Sequence, residues 1–131
     1  MNLCDLHVHS NFSDGRFSIT EVIANAEQAN IGVLTLTDHD ATSDPTDFRL
    51  QTPITLVQGS EISALYLDSS REKHVVHILA WGFNPKHENI LDIFKKNNSP
   101  NLDLARREIR EKELRKLLSF GIDLGTYDDL N

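Results

Sequence analysis

The chain has 131 residues, 39% hydrophobic and 25% charged, with a formal net charge of -7. That composition argues against intrinsic disorder and allows one domain or one piece of a larger one. The acidic balance argues against stable binding to duplex nucleic acid, which needs a basic surface, yet leaves room for a phosphorylated ligand held through metal ions. A single cysteine, Cys4, excludes an internal disulfide and is expected to be a small buried core residue. No charged leader and no apolar run near the ~18 residues of a membrane span is visible, so a cytoplasmic protein without membrane contact is expected.

Residues 2–9 predict a buried strand ending at His7 and His9. Ser18 with Glu21 three residues later is a capping-box pattern. Val22, Ile23, Ala26 and Ala29 follow at helical spacing, which predicts a helix over 19–30 stopped by Asn30-Ile31-Gly32. The apolar run from Val33 to Thr37 predicts a second strand. Strand, helix and strand within ~35 residues form a βαβ unit with parallel strands.

Asp44-Pro45 marks a turn, with a short helix expected through Leu50. Ile54 to Val57 reads as a third strand that runs into Gly59-Ser60-Glu61-Ile62-Ser63, with strand character over 64–67. A polar hairpin loop from Asp68 to Lys73 leads to a strand from Val75 to Trp81, ended by Asn84-Pro85. Helices are expected over 88–97 and 101–120, separated by Asn97-Asn98-Ser99-Pro100. In the second, Leu102, Ala105, Ile109, Leu114, Leu117 and Leu118 make a loose apolar stripe. The Arg and Glu between them read as a solvated face with i,i+4 ion pairs. Gly121 ends that helix, and Thr126 before Asp128 and Asp129 marks the start of another.

The chemistry begins with His7 and His9, which point to one face of a strand because they are two residues apart. By itself a His-x-His is a weak signal, since such pairs are often incidental. Asp14 follows in a Ser-Asp-Gly turn that could bring its carboxylate to the same place. Thr37-Asp38-His39-Asp40 stands directly after a predicted strand, and in parallel α/β folds functional side chains gather at strand carboxyl ends. Asp and His also cap helices and sit in turns. The pattern carries weight because His7, His9, His39 and Glu61 fall at the ends of separate predicted strands and His77 lies within a fourth.

Imidazoles and carboxylates without thiolate suit Mn²⁺, Zn²⁺ or Fe²⁺ in a multinuclear site rather than a structural zinc site. Such a site points to hydrolysis by metal-activated water. No Gly-rich phosphate loop and no Gly-x-Ser-x-Gly elbow is present, so kinase chemistry and serine hydrolysis are poorly supported.

Four segments resemble successive motifs of the PHP (polymerase and histidinol phosphatase) family. They are Asp5-Leu6-His7-Val8-His9-Ser10 with Ser13-Asp14-Gly15, Leu36-Thr37-Asp38-His39-Asp40, Gly59-Ser60-Glu61-Ile62-Ser63 and His77-Ile78-Leu79-Ala80-Trp81-Gly82. The resemblance implies an α/β fold, the N-terminal part of a distorted (β/α)₇ TIM-like barrel. One domain over 1–131 would include a helical insertion at about 88–131. It implies the metal ligands His7, His9, Asp14, His39, Glu61 and His77, with Glu61 bridging two ions. Asp38 and Asp40 would be catalytic-site carboxylates that orient the imidazoles from behind. Two to three divalent ions would fill the complete family site.

The Thr-Asp-His-Asp form is most similar to the family's stand-alone phosphoesterases. The implied substrate is a nucleotide 3′,5′-bisphosphate, or the 5′ end of an RNA or short oligonucleotide. Alternatives are another phosphomonoesterase such as a histidinol-phosphatase-like enzyme, or a truncated non-catalytic metal-binding module. The family's later ligands, a Pro-His segment and an Asp-x-His pair, have no match here. The chain therefore resembles the N-terminal portion of the domain, expected to be weakly active or inactive alone. Self-association or a complementing chain is expected at the open barrel edge. His74 reads as a surface or hairpin histidine, His87 as exposed loop and Trp81 as core.

Overall fold

The structure, a computed structural model, describes residues 3–42 and 52–126 apart from the side chains at 101 and 103. The expected short helix through Leu50 and the helix start beyond Thr126 lie outside the described residues. The element order is β1 (Leu3–Val8), α1 (Ile19–Gln28), β2 (Ile31–Leu36), β3 (Thr55–Leu67), β4 (Lys73–Trp81), α2 (Glu88–Asn97) and α3 (Pro100–Ser119). The four strands form one sheet in the order β1-β2-β3-β4.

Helix α1 starts where the sequence says it should. The Ser18 side chain accepts from the Glu21 backbone while the Glu21 carboxylate reaches back to Ser18 N at 2.9 Å. The reciprocal pair satisfies amide groups that a helix start leaves open. Ala29 caps the other end, and Asn30 takes the left-handed conformation with φ 58°. The buried face of α1, Ile19, Val22, Ile23 and Ala26, packs on Leu34, Leu36 and Ile54, with Val8, Ile31 and Leu56 at the margin. This βαβ core fixes the parallel pairing of β1 with β2.

Strand β3 is longer than expected, and its partners change partway. Thr55 to Gln58 pair in parallel with β2, while Gly59 to Leu67 pair antiparallel with β4. Gly59 sits at the handover, where a Cβ would stand 2.2 Å from Thr35 Cγ2. Glu61 consequently lies inside a continuous strand rather than at its end, and an isolated bridge joins it to His39 beyond β2.

The sheet is strongly curled. In a flat sheet β1 and β4 would stand about 14 Å apart at ~4.8 Å per step. The Trp81 indole nevertheless donates to Leu6 O across that gap at 2.9 Å. Trp81 is 47% exposed and not a core residue, because its indole spans the open concave side instead of packing beneath α1. Cys4 is also exposed rather than buried. It stands on an edge strand, and α1 covers Val8 but not the start of β1.

Beyond β4, α2 and α3 form a helical arm. Helix α2 contributes the buried Phe94, whose ring lies 6.5 Å from that of Phe83. The α3 stripe is only half covered: Leu102, Ala105, Ile109, Leu114 and Leu117 are half-buried, and Leu118 is exposed. Gly121 ends α3 with φ 81°. None of the described helices is long and apolar enough to cross a membrane.

Candidate metal centre

Residues His7 and His9 project from the carboxyl end of β1, His39 from the loop after β2, Glu61 from the middle of β3 and His77 from β4. Asp14 comes from the turn after β1. That turn is tight: Ser13 N and Gly15 N both donate to Ser10 O, at 3.2 and 2.9 Å. A Cβ on Gly15 would stand 2.4 Å from His9 O, so only glycine lets the chain fold back onto His9 here.

All six side chains converge. Glu61 Oε2 faces His7 Nε2 at 3.0 Å, His9 Nε2 at 2.8 Å and His39 Nε2 at 3.8 Å, while its Oε1 faces His77 Nδ1 at 2.8 Å. Asp14 Oδ1 lies 2.6 Å from His9 Nδ1, and Asp14 Oδ2 lies 3.5 Å from His39 Nε2. Successive imidazole centroids from His7 through His9 and His39 to His77 are 5.2, 4.6 and 4.7 Å apart. Glu61 is buried at the centre of this arc, whereas Asp14 and His7 form its open side.

The electrostatics follow from that packing. Burial pushes the Glu61 carboxyl up, but the His7 hydrogen bond and the charges of His39, His77 and His7 outweigh it and hold it below the ordinary value. The His9 hydrogen bond, helped by the charges of His9 and His39, likewise lowers Asp14. Burial lowers His39 despite the attraction of Glu61 and Asp14, which favours its neutral, ligating form.

Proton bookkeeping tests whether these residues suit a cation. A neutral imidazole carries one proton, yet His9 presents both ring nitrogens to carboxylates. Its Nε2 is buried and makes no hydrogen bond, although Glu61 Oε2 is 2.8 Å away. A lone pair facing a carboxylate is unfavourable unless the ring is protonated or a cation is shared by both. Ligand atoms each about 2.1 Å from one ion and at right angles stand about 3 Å apart, close to the spacings found. Three overlapping groups have ligand atoms mutually within 4.8 Å: His7, His9 and Glu61; His9, Asp14 and His39; His39, Glu61 and His77. The donor set fits divalent ions, with Glu61 common to two of the groups.

Asp38 and Asp40 are placed differently from expectation. Asp38 accepts from Ser10 N, Ser10 Oγ and Ser13 Oγ, each at 2.8 Å, so it braces the turn that carries Asp14. Asp40 accepts from Ser63 N, Asn97 Nδ2 and Arg106 Nη2. Among the described residues these bonds reach backbone, hydroxyl, amide and guanidinium groups and no imidazole. Both carboxylates therefore hold the chain on either side of His39. Local sequence gave no sign of their partners beyond the serines of the first motif.

A second group, Asp68, Glu72 and His74, lies in the β3–β4 hairpin. Its atoms are already engaged: Asp68 Oδ1 accepts from Ser70 N and Glu72 N, Asp68 Oδ2 is 3.2 Å from His74, and Glu72 meets Lys112 at 3.0 Å. These contacts make it a turn-stabilising network. His87 is exposed and caps α2, its Nδ1 accepting from Asn89 N.

A curled four-stranded α/β half-barrel that brings four histidines and two carboxylates together is consistent with part of a TIM-like barrel carrying a candidate metal site. The PHP domain family model matches residues 5–127, and the chain belongs to that family. It is 32% identical over 123 residues to a 3′,5′-nucleoside bisphosphate phosphatase of Chromobacterium violaceum, covering 92% of this chain and 37% of that protein. It is 34% identical over 86 residues to a 5′-3′ exoribonuclease of Haemophilus influenzae, covering 63% of this chain and 30% of that one. A solved structure from Bifidobacterium adolescentis, described as a candidate metal-dependent phosphoesterase, superposes with TM-score 0.66 at 26% identity. That match covers 98% of this chain and 42% of the other. The chain thus spans about a third of the length of the curated relatives it matches.

Proposed function

We propose that this chain carries the N-terminal portion of a PHP phosphoesterase centre. His7, His9, Asp14, His39, Glu61 and His77 would hold one or two divalent ions, Mn²⁺, Zn²⁺ or Fe²⁺, of the two to three that the complete family site takes, with Glu61 as a shared ligand. The observation that carries the reading is the arc of four imidazoles around the buried Glu61 carboxylate. When bound, such ions would supply positive charge for the phosphoryl oxygens and would lower the pKa of water.

The chain's own residues do the rest. Asp14 and His7 leave one side of the arc open to a phosphate ester. Asp38, through Ser10 and Ser13, keeps the Asp14 turn against His9. Burial lowers the His39 pKa, which favours the neutral ring that presents a lone pair. The substrate class is a phosphorylated nucleotide or a short oligonucleotide, supported by the activities named for the two relatives above. Such substrates suit a cytoplasmic location. The open edges at β1 and β4 would admit self-association or a complementing chain.

Turnover by the isolated 131 residues is expected to be weak, because the centre is open to water where His7 and Asp14 are exposed. The test is phosphate release from a 3′,5′-bisphosphonucleotide with added Mn²⁺, run beside a histidinol-phosphate-like ester. Slow release favouring the nucleotide supports the reading. Preference for the amino-alcohol phosphate would replace the substrate class, and bound metal without any release would leave a non-catalytic metal-binding module.

A further inference from the structure

Asp40 follows His39 directly and is almost fully buried, in the left-handed region with φ 47°. Aspartate is among the few non-glycine residues that adopt that conformation readily, and here hydrogen bonds on both sides of the residue fix it. Its backbone N–H donates to Glu61 O at 2.9 Å, and its Oδ1 accepts from Ser63 N at 2.9 Å. One residue thereby grips β3 on both sides of Ile62, and one of the gripped residues is the hub of the metal centre.

A buried carboxylate is costly unless it is paired and fully hydrogen-bonded. The partners come from the helical arm. Arg106 Nη2 on α3 donates to Asp40 Oδ2 at 3.0 Å, and Asn97 Nδ2 at the end of α2 donates to Oδ1 at 2.6 Å. Asn98 Nδ2 donates to Asp40 O at 3.0 Å. The arm is also tied to itself and to β3: Arg106 Nη1 donates to Asn97 O at 3.0 Å, and Asn97 Nδ2 to Ser63 O at 2.8 Å.

We infer that Arg106 and Asn97 are positioning residues for the metal centre, acting through Asp40 to set His39 and Glu61 relative to each other. This rests on the reading of the centre as a divalent-metal site. Without the guanidinium, the Asp40 carboxylate is left buried with an uncompensated charge. It then relaxes toward water, and the left-handed turn that aims His39 relaxes with it. Ligand geometry tolerates only about 0.5 Å of such drift before binding suffers. A second link from the arm, Lys112 to Glu72, is exposed and leads to the hairpin instead of the centre. It provides a control that loosens the arm without touching Asp40.

The test titrates Mn²⁺ into the chain by electron paramagnetic resonance and records the histidine ring ¹⁵N resonances of the metal-free protein. Arg106→Ala is expected to weaken Mn²⁺ binding by roughly 10- to 100-fold, the range for losing a group that orients ligands. It should also shift the His39 ring resonances more than those of His7. Asn97→Ala should lose less in the same direction, Arg106→Lys should recover part of the affinity, and Lys112→Ala should stay within about twofold of wild type. Wild-type affinity and unmoved His39 resonances in folded Arg106→Ala would overturn the inference. If that variant does not fold, the same result in Asn97→Ala and Arg106→Lys overturns it. A wild-type chain that binds no Mn²⁺ would defeat the metal reading, and the His39 resonances of the metal-free variants would still decide the coupling.

Discussion

Helix α1 lays Ile19, Val22, Ile23 and Ala26 against Leu34, Leu36 and Ile54, whereas α3, twice as long, buries none of its described side chains. The first is held by apolar area removed from water, and its place on the sheet follows from a repeating face. The second is tied to the centre by a polar node, Arg106 with Asp40 and Asn97. Apolar packing gives α1 stability with little dependence on any one hydrogen bond. The node gives α3 a defined position that depends on very few atoms. Candidate metal ligands lie at both ends of this contrast: His7 and His9 beside the βαβ core, His39 directly before the Asp40 of the node.

Substitutions can break or sharpen that difference. Leu34→Ala, in the fully buried centre beneath α1, is expected to cost about 2–5 kcal/mol in urea unfolding. Leu104→Ala on α3, an exposed position, should stay within about 0.5 kcal/mol in the same experiment. Equal losses would show that α3 is packed like α1 after all.

The candidate metal centre and the hairpin group are separated in the same way. His77→Ala should weaken metal binding by more than the roughly 10- to 100-fold typical of losing an outer partner, while His74→Ala should leave it unchanged. Isothermal titration with Zn²⁺ measures both, and a comparable loss in His74→Ala would move the site to the hairpin.

The smallest expected effect lies at the start of α1. Ser18→Ala should cost about 1 kcal/mol at neutral pH. The Glu21 carboxyl is held below its ordinary value of 4.5 by the hydrogen bonds from Ser18. A lowered folded-state pKa means the contribution is present above the ordinary value and is lost as pH falls through the folded one. The difference between wild type and Ser18→Ala should therefore shrink in acid, and a difference that grows below pH 4.5 would contradict the capping assignment.

The same contrast explains what the sequence made legible. Periodicity and capping chemistry are local, so α1, the βαβ unit and the stop at Asn30 could be read directly. The six candidate ligands could be read because each stands in a short motif, and the fold brings them together. The roles of Asp38 and Asp40 could not, because their partners are set by tertiary geometry. Arg106 lies 66 residues from Asp40 and belongs to a run of charges that otherwise behaves as a solvated face, as the Arg107–Glu111 and Arg115–Glu111 pairs do. Trp81 and Cys4 misled for a related reason. Residue type suggests burial, but the curl of the sheet and the limited reach of α1 decide it.

Metal binding by the imidazole arc around Glu61 is the property on which the proposed chemistry depends. The most direct measurement is a Mn²⁺ titration of the wild-type chain and of Glu61→Gln, followed by electron paramagnetic resonance, with circular dichroism to establish that both are folded. At least one bound ion is expected in the wild type and its loss in Glu61→Gln, because that carboxylate is shared by two of the three ligand groups. Equal binding by the two folded proteins, or none by either, would contradict it.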